Sequence, residues 1–183
     1  MPGVPILALT SERLVLRPLV AGDAEALFKI FSDPQVMTYW YTPPWKDISD
    51  AHQYIADTQQ AMELEAQYVF AIVDKNTDAL MGKCMLWHIQ PDSRRAEIGF
   101  GLGVEFWGKG YIQEAGRLLL DFAFSQLNLN RLEAEIDPEN LGSAKALQRL
   151  GFQQEGYLPQ RWIVDGHMSD SALYGLLRQD FAL

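Results

Sequence analysis

The stretch 97–111, Glu-Ile-Gly-Phe-Gly-Leu-Gly-Val-Glu-Phe-Trp-Gly-Lys-Gly-Tyr, constrains the chain more than any other. Its first half alternates like a strand, glycines crowd its middle, and helical periodicity begins at Tyr111. A strand that turns through glycines into a helix aims several backbone N–H groups, and the positive end of a helix dipole, at one point. A phosphate or pyrophosphate fits there, because glycine permits close approach and adopts the dihedrals that such a nest requires. Two common phosphate loops do not match. A P-loop needs Lys followed by Ser or Thr, and Lys109 is followed by Gly110. The fingerprint Gly-x-Gly-x-x-Gly fails because the sixth position from Gly99 or Gly101 is Val104 or Phe106. Taken alone, the segment also fits a glycine-rich turn that holds no ligand.

Around this segment the patterns alternate between strand and helix. Residues 13–17 alternate as a strand, and Ala24, Leu27, Phe28 and Phe31 share a helical face that Asp33-Pro34 stops. An aromatic, proline-rich loop spans 39–45. A second amphipathic helix follows, marked by Tyr54, Ile55, Thr58, Ala61 and Met62 and capped near Asp47 or Ser49. Strand patterns cover 67–74, 80–88 and 96–104, with a turn at Asn76-Thr77-Asp78. The helix after the glycine loop is expected over 111–127, apolar around most of its girth and so largely buried. A strand at 131–137, a short helix from Asn140 to a left-handed cap at Gly151, and two strands turning at Asp165-Gly166 complete the order. The expected fold is α/β (α+β): one domain over 1–183, with a single mixed, mostly antiparallel central sheet and helices on both faces.

Composition limits the partners. The net charge of -9 excludes a general nucleic-acid binder, and it means that a polyanionic ligand must be held by local donors against the field of the protein. No apolar run is long enough to span a bilayer and no signal peptide is visible, so no membrane partner is expected and the cytoplasm is the expected compartment. The lone Cys84 allows no internal disulfide and no cysteine cluster for a metal; in the apolar run 81–87 it reads as core packing.

A second segment, Asn140-Leu141-Gly142-Ser143-Ala144-Lys145-Ala146-Leu147-Gln148-Arg149-Leu150-Gly151-Phe152, lies some thirty residues on. Together the two segments resemble the GNAT N-acyltransferase superfamily, and within it the branch that contains the ribosomal-protein N-terminal acetyltransferases. Ser11-Glu-Arg-Leu-Val-Leu-Arg-Pro-Leu19 and the ending from Asp165-Gly166 to Leu177 are similar to that branch too, so the resemblance spans nearly the whole chain. It implies the GNAT fold and acetyl transfer from acetyl-CoA to a primary amine by direct attack in a ternary complex, with no metal. It also implies that the pantetheine arm lies along Leu102, Gly103 and Val104, the pyrophosphate on Trp107, Gly108, Lys109, Gly110 and Tyr111, and Asn140 with Ser143 opposite. Two positions depart from the family pattern: Glu105 stands where Gln or Arg is usual, and Leu147 where a tyrosine often protonates the leaving thiolate.

Acetyl transfer needs a neutral amine, a polarised carbonyl and a protonated thiolate. Glu97, on the strand entering the cleft, is the candidate base; ion pairing with the adjacent Arg94 and Arg95 is its competing role. Ser143 is the candidate acid, because the resemblance implies, through the Asn-x-x-Ser pattern of that branch, a hydroxyl near the thiolate; its competing role is capping beside Asn140. A backbone N–H near Leu102 or Gly103 is expected to meet the oxyanion. Trp40, Tyr41, Trp45 and His88 are the candidate acceptor-side residues, since a proline-stiffened aromatic loop makes a pocket wall. The implied acceptor is a peptide or protein N-terminal α-amine. A small-molecule amine (amino acid, polyamine or antibiotic) stays open beside it, as do a non-catalytic acyl-CoA sensor and either a monomer or a homodimer.

Overall fold

The computed structural model describes residues 8–181. Eight strands form a single sheet: β1 (Leu9–Thr10), β2 (Leu14–Pro18), β3 (Tyr68–Asp74), β4 (Leu80–Gln90), β5 (Arg95–Leu102), β6 (Arg131–Ile136), β7 (Gln153–Val164) and β8 (His167–Leu177). Their order is β1-β2-β3-β4-β5-β6-β8-β7, and every pairing is antiparallel except β5 with β6. Among the described residues no helix is long and apolar enough to cross a membrane.

Helices cover both faces because the central strands are apolar on both. In β3, Tyr68, Phe70 and Ile72 face one way, where Ala115, Leu119 and Leu120 of α4 (Tyr111–Asp121) and Leu147 of α5 (Leu141–Arg149) pack. Val69, Ala71 and Val73 face the other way, against α1 (Ala24–Phe31), α2 (Pro34–Met37) and α3 (Ile48–Glu63). Cys84 is fully buried on the α4 side, and burial pushes its thiol up.

Several expected boundaries move. Asp33-Pro34 ends α1, yet it also starts α2: Asp33 accepts from the Gln35 amide at 2.8 Å and Pro34 occupies the first turn, where its missing N–H costs nothing. Asp47 caps α3 by accepting from the Ser49 amide at 2.9 Å. The helix expected over 111–127 is α-helical only to Asp121, and Phe122–Gln126 form a π turn closed by Leu127 N–H to Phe122 C=O at 3.1 Å. That turn places Phe122, Ala123 and Phe124 all in the core, an arc wider than one α-helical face provides. The strand expected to reach Val104 stops at Leu102, and Val104–Phe106 form a 3-10 turn. At the end of the sheet the closing hairpin turns at Asp165-Gly166 as expected, both with positive φ.

Candidate functional site

The sheet opens where the one parallel pair among the described residues separates. β5 pairs with β6 from Arg95↔Arg131 to Glu97↔Glu133 and no further. On its other side β5 stays paired with β4 to Gly82↔Leu102, and the Gly103 amide donates to Met81 C=O at 2.9 Å. Antiparallel alternation then directs the backbone groups of Gly99 and Gly101 to β4, and those of Phe100 and Leu102 into the gap beside β6. Leu102 C=O is taken by the Trp107 indole N–H at 3.0 Å. This corrects one expectation: Gly103 is outside the strand with its N–H engaged, so the open edge lies at Phe100 and Leu102 rather than at Leu102, Gly103 and Val104. Gly101 also has a packing reason to be glycine, since a Cβ there would lie 2.8 Å from the rings of Phe31 and Trp40.

Beyond the edge, the chain turns through Gly108 (φ 71°) and Gly110 (φ 80°) into α4. A side chain at Gly108 would meet nothing within 4 Å, so the space over the loop is open. Arg13 braces the loop from β1–β2: it donates to Lys109 C=O at 3.0 Å, pairs with Glu114 at 2.6 Å and lies 4.5 Å over the Tyr111 ring. Trp107 is half exposed. Lys109 is held back, its ammonium donating to Glu105 C=O at 2.8 Å. The amides of the loop and of the first turn of α4, together with the Phe100–Leu102 edge, fit a pyrophosphate with an extended arm.

Across the gap, Asn140 caps α5 by accepting from the Ser143 amide at 3.1 Å. Its amide nitrogen and the half-buried Ser143 hydroxyl make no hydrogen bond among the described residues. Leu147 is packed in the core, 3 % exposed.

Glu97 stands where β5 and β6 part. Arg95 pairs instead with Glu133 at 2.9 Å, and Arg94 donates to Asn128 at 2.7 and 3.0 Å. The partner of Glu97 is His88 Nδ1 at 3.0 Å, in the irregularity between Trp87 and Gln90 where His88 has φ 46°. Trp87, directly across from Glu97, stacks on the imidazole at 5.6 Å.

The loop 39–45 closes over this end. Tyr41 stacks on Trp162 of β7 at 4.2 Å. Beneath them Glu135 of β6 accepts from Trp162 Nε1 at 2.7 Å and from Ser171 Oγ at 2.6 Å. With Ser171 spent on Glu135, the buried Tyr41 hydroxyl has no hydrogen-bond partner among the described residues. Burial is the chief cause pushing that phenol up to about 12; a polar contact with Ser171 opposes it, and the charges of Glu135, Asp137 and Glu97 add to it. Trp40 and Trp45 pack on Phe31 at 5.6 and 5.4 Å. Two cavities share the loop as a wall. One, of 610 Å³, is lined by Trp40, Tyr41, Trp45, Tyr54, Lys83 and Trp87; the other, of 580 Å³, carries Asp137, Glu139, Asp165 and Asp170.

Sequence reasoning thus placed Glu97, His88 and Tyr41 in one neighbourhood, but missed Glu135, Trp162, Ser171, Tyr54 and Lys83. A polar residue inside an otherwise apolar strand was the signal available for Lys83. Glu135 carried none, because alternating charge reads as a solvated face. Among the described residues no group of three or more His, Cys, Asp or Glu is placed to hold a metal ion.

Residues 13–153 match the family description "Acetyltransferase (GNAT) domain". The chain is 40 % identical to the uncharacterized N-acetyltransferase p20 of Bacillus licheniformis, over 95 % of this chain and 98 % of that protein. To the ribosomal protein uS5-alanine N-acetyltransferase of Escherichia coli it is 27 % identical, covering 98 % and 95 %. A crystal structure described as a probable acetyltransferase superposes with a TM-score of 0.87 at 28 % identity, over 96 % of this chain and 99 % of that one.

Proposed function

The chain belongs to the GNAT acetyltransferase family and is an acetyl-CoA-dependent N-acetyltransferase, and from that premise we propose that its acceptor is the α-amine of a peptide or protein N-terminus. The observation that carries the reading is the parting of β5 and β6 at Glu97, which puts an open strand edge, a glycine loop and a carboxylate around one gap.

In this reading the loop 107–111 and the dipole of α4 hold the pyrophosphate, with Asn140 on the far wall. The pantetheine amides pair with Phe100 and Leu102, and a free N–H of that edge faces the developing oxyanion. The amine attacks the thioester carbonyl while Glu97 takes its proton, the carboxylate being held in place by His88. Ser143 supplies a proton to the departing thiolate.

At about pH 7.5 an α-amine with a pKa of about 7.7–8.0 is roughly one-third neutral, whereas a lysine near 10.4 costs about 4 kcal/mol to deprotonate. One carboxylate base suits the former. The groove carrying Asp137, Glu139, Asp165 and Asp170 gives a positively charged chain a path to that base. A compact cationic amine is the second reading, favoured by the aromatic cavity next to the groove.

Thiol release from acetyl-CoA tests the choice. Peptides with a free N-terminus are expected to turn over faster than the same peptides blocked at the terminus but carrying lysine. Faster turnover on the blocked peptides, or turnover on free small amines alone, would overturn it.

A further inference from the structure

Lys83, in the middle of β4, is 4 % exposed. Its side chain makes no hydrogen bond and no ion pair among the described residues. The ammonium lies instead over four rings: Tyr54 at 3.7 Å, Phe31 at 4.4 Å, Trp40 at 5.1 Å and Trp45 at 5.7 Å. A cation taken out of water without an anion is costly, and an apolar side chain of similar length would pack on the same rings at no such cost. The ring faces return part of it. Burial drives the amine down to about 7, a second sign that its surroundings lack a counter-charge.

The cage opens into the 610 Å³ cavity. A further polar group on that wall, Trp87 Nε1, is buried without a hydrogen-bond partner among the described residues, and it can only donate. The carboxylates at the rim do not complement these donors. Asp50 accepts from the amides of Lys46 and Asp47 at 2.9 and 3.1 Å, and Asp57 accepts from Gln53 at 2.7 Å, all exposed. Aromatic walls around unmatched donors call for an anion with an apolar body.

We propose that this cavity is a carboxylate-binding subsite for the acceptor: Lys83 holds the anionic group of an amine substrate whose apolar body lies among Trp40, Trp45 and Tyr54. That the amine end reaches Glu97 rests on the reading of the preceding subsection; the anion site itself does not. The register fixes the class of compound. Trp87 lies opposite Glu97, and Lys83 opposite Gly101, on the same face of the sheet. Four residues of strand separate the two rows, about 13 Å, of which the long lysine side chain spans part. Amine and carboxylate must therefore be several bonds apart. That excludes the carboxylate of a free α-amino acid and selects the acidic side chain of an N-terminal residue, or the C-terminal carboxylate of a short peptide.

The binding test needs no turnover. Three tryptophans line the cavity, so the fluorescence of the free protein is titrated with 3-phenylpropionate and with its neutral isostere 3-phenylpropionamide. The acid is expected to give a saturable change, and the amide to bind at least tenfold more weakly. In Lys83→Met, shown to be folded by circular dichroism, acid affinity is expected to fall tenfold or more to the level of the amide. Equal affinity of acid and amide in the native protein, no saturable change with either, or undiminished acid binding in the folded variant would overturn the proposal. Thiol release then identifies the source of the carboxylate: Ala-Phe against Ala-Phe amide reports on the C-terminal group, Glu-Ala amide against Gln-Ala amide on the side chain. Preference for the acid in one pair, lost in Lys83→Met, is the expected result, and equal rates in both pairs would overturn the role in the acceptor site. Acid binding with no turnover of any peptide would support the anion site while refuting the peptide reading of the acceptor.

Discussion

The proposed donor site along the gap between β5 and β6 is built from the backbone of one continuous stretch, 98–111. The proposed acceptor site is built instead from side chains in separate parts of the chain: Tyr41 from a loop, His88 from β4, Glu135 from β6, Trp162 and Ser171 from the closing hairpin. Backbone amides recognise an extended arm and a pyrophosphate whatever the neighbouring side chains are, so a wall built from them tolerates Glu105. Side chains recognise by shape and charge, so the acceptor site changes whenever any contributing segment changes. That division fits a family whose members share a donor and differ in acceptor.

The comparison breaks most easily on the backbone side. Gly110→Asp sets a carboxylate where phosphate oxygens are expected and a side chain on a left-handed backbone. Like-charge juxtaposition costs several kcal/mol, so affinity for CoA should fall about a hundredfold or more by calorimetry, with acceptor binding little changed. Undiminished CoA affinity in the folded variant would remove the loop from the donor site.

Glu97→Gln sharpens the contrast, because it removes one acceptor-side group and leaves the backbone wall intact. The expected loss in kcat is on the order of a hundredfold, with CoA affinity unchanged. The deficit should shrink as pH rises and the amine loses its proton unaided; a loss constant from pH 6 to 9 would point to positioning instead.

The smallest effect is on stability. The Lys83 ammonium is destabilised by folding, its pKa falling from 10.5 to about 7. Between those values the unfolded chain binds the extra proton, so this residue's contribution to stability rises with pH above 7. Below 7 both states are protonated and the full penalty is present. Lys83→Met should therefore stabilise the protein near neutral pH, by about 1 kcal/mol, at the low end for a buried charge replaced because the rings already offset part of its cost. The gain should shrink steadily as pH rises above 7 and be gone by pH 10.5. Urea titrations of both proteins at pH 6.5, 7.5 and 8.5 check this, and a pH-independent difference would assign the effect to packing.

How much could be read beforehand differs between the same two regions. The strand, glycine loop and helix were legible because their reason is local: alternation, positive φ and capping act within a few residues. Even there the strand ended two residues early, since its last residue is set by pairing with Met81 and Gly82 rather than by its own pattern. The π turn at Phe122–Gln126 was invisible for a similar reason, its extra residue being fixed by what Phe122 and Phe124 pack against.

By itself, then, the sequence determined the order of elements apart from β1 and α2, the two-sided sheet and, through resemblance, the family; periodicity carries the first two and a motif built on backbone the third. Only the tertiary structure decided that Glu97 meets His88 rather than Arg94 or Arg95. It alone decided that Tyr41 lies over Trp162 and Glu135, and that Lys83 is enclosed by rings from α1, α3 and the 39–45 loop. These contacts join residues from 9 to more than 120 positions apart, and their energies come from burial and charge in a cavity that exists only once the sheet has closed around it.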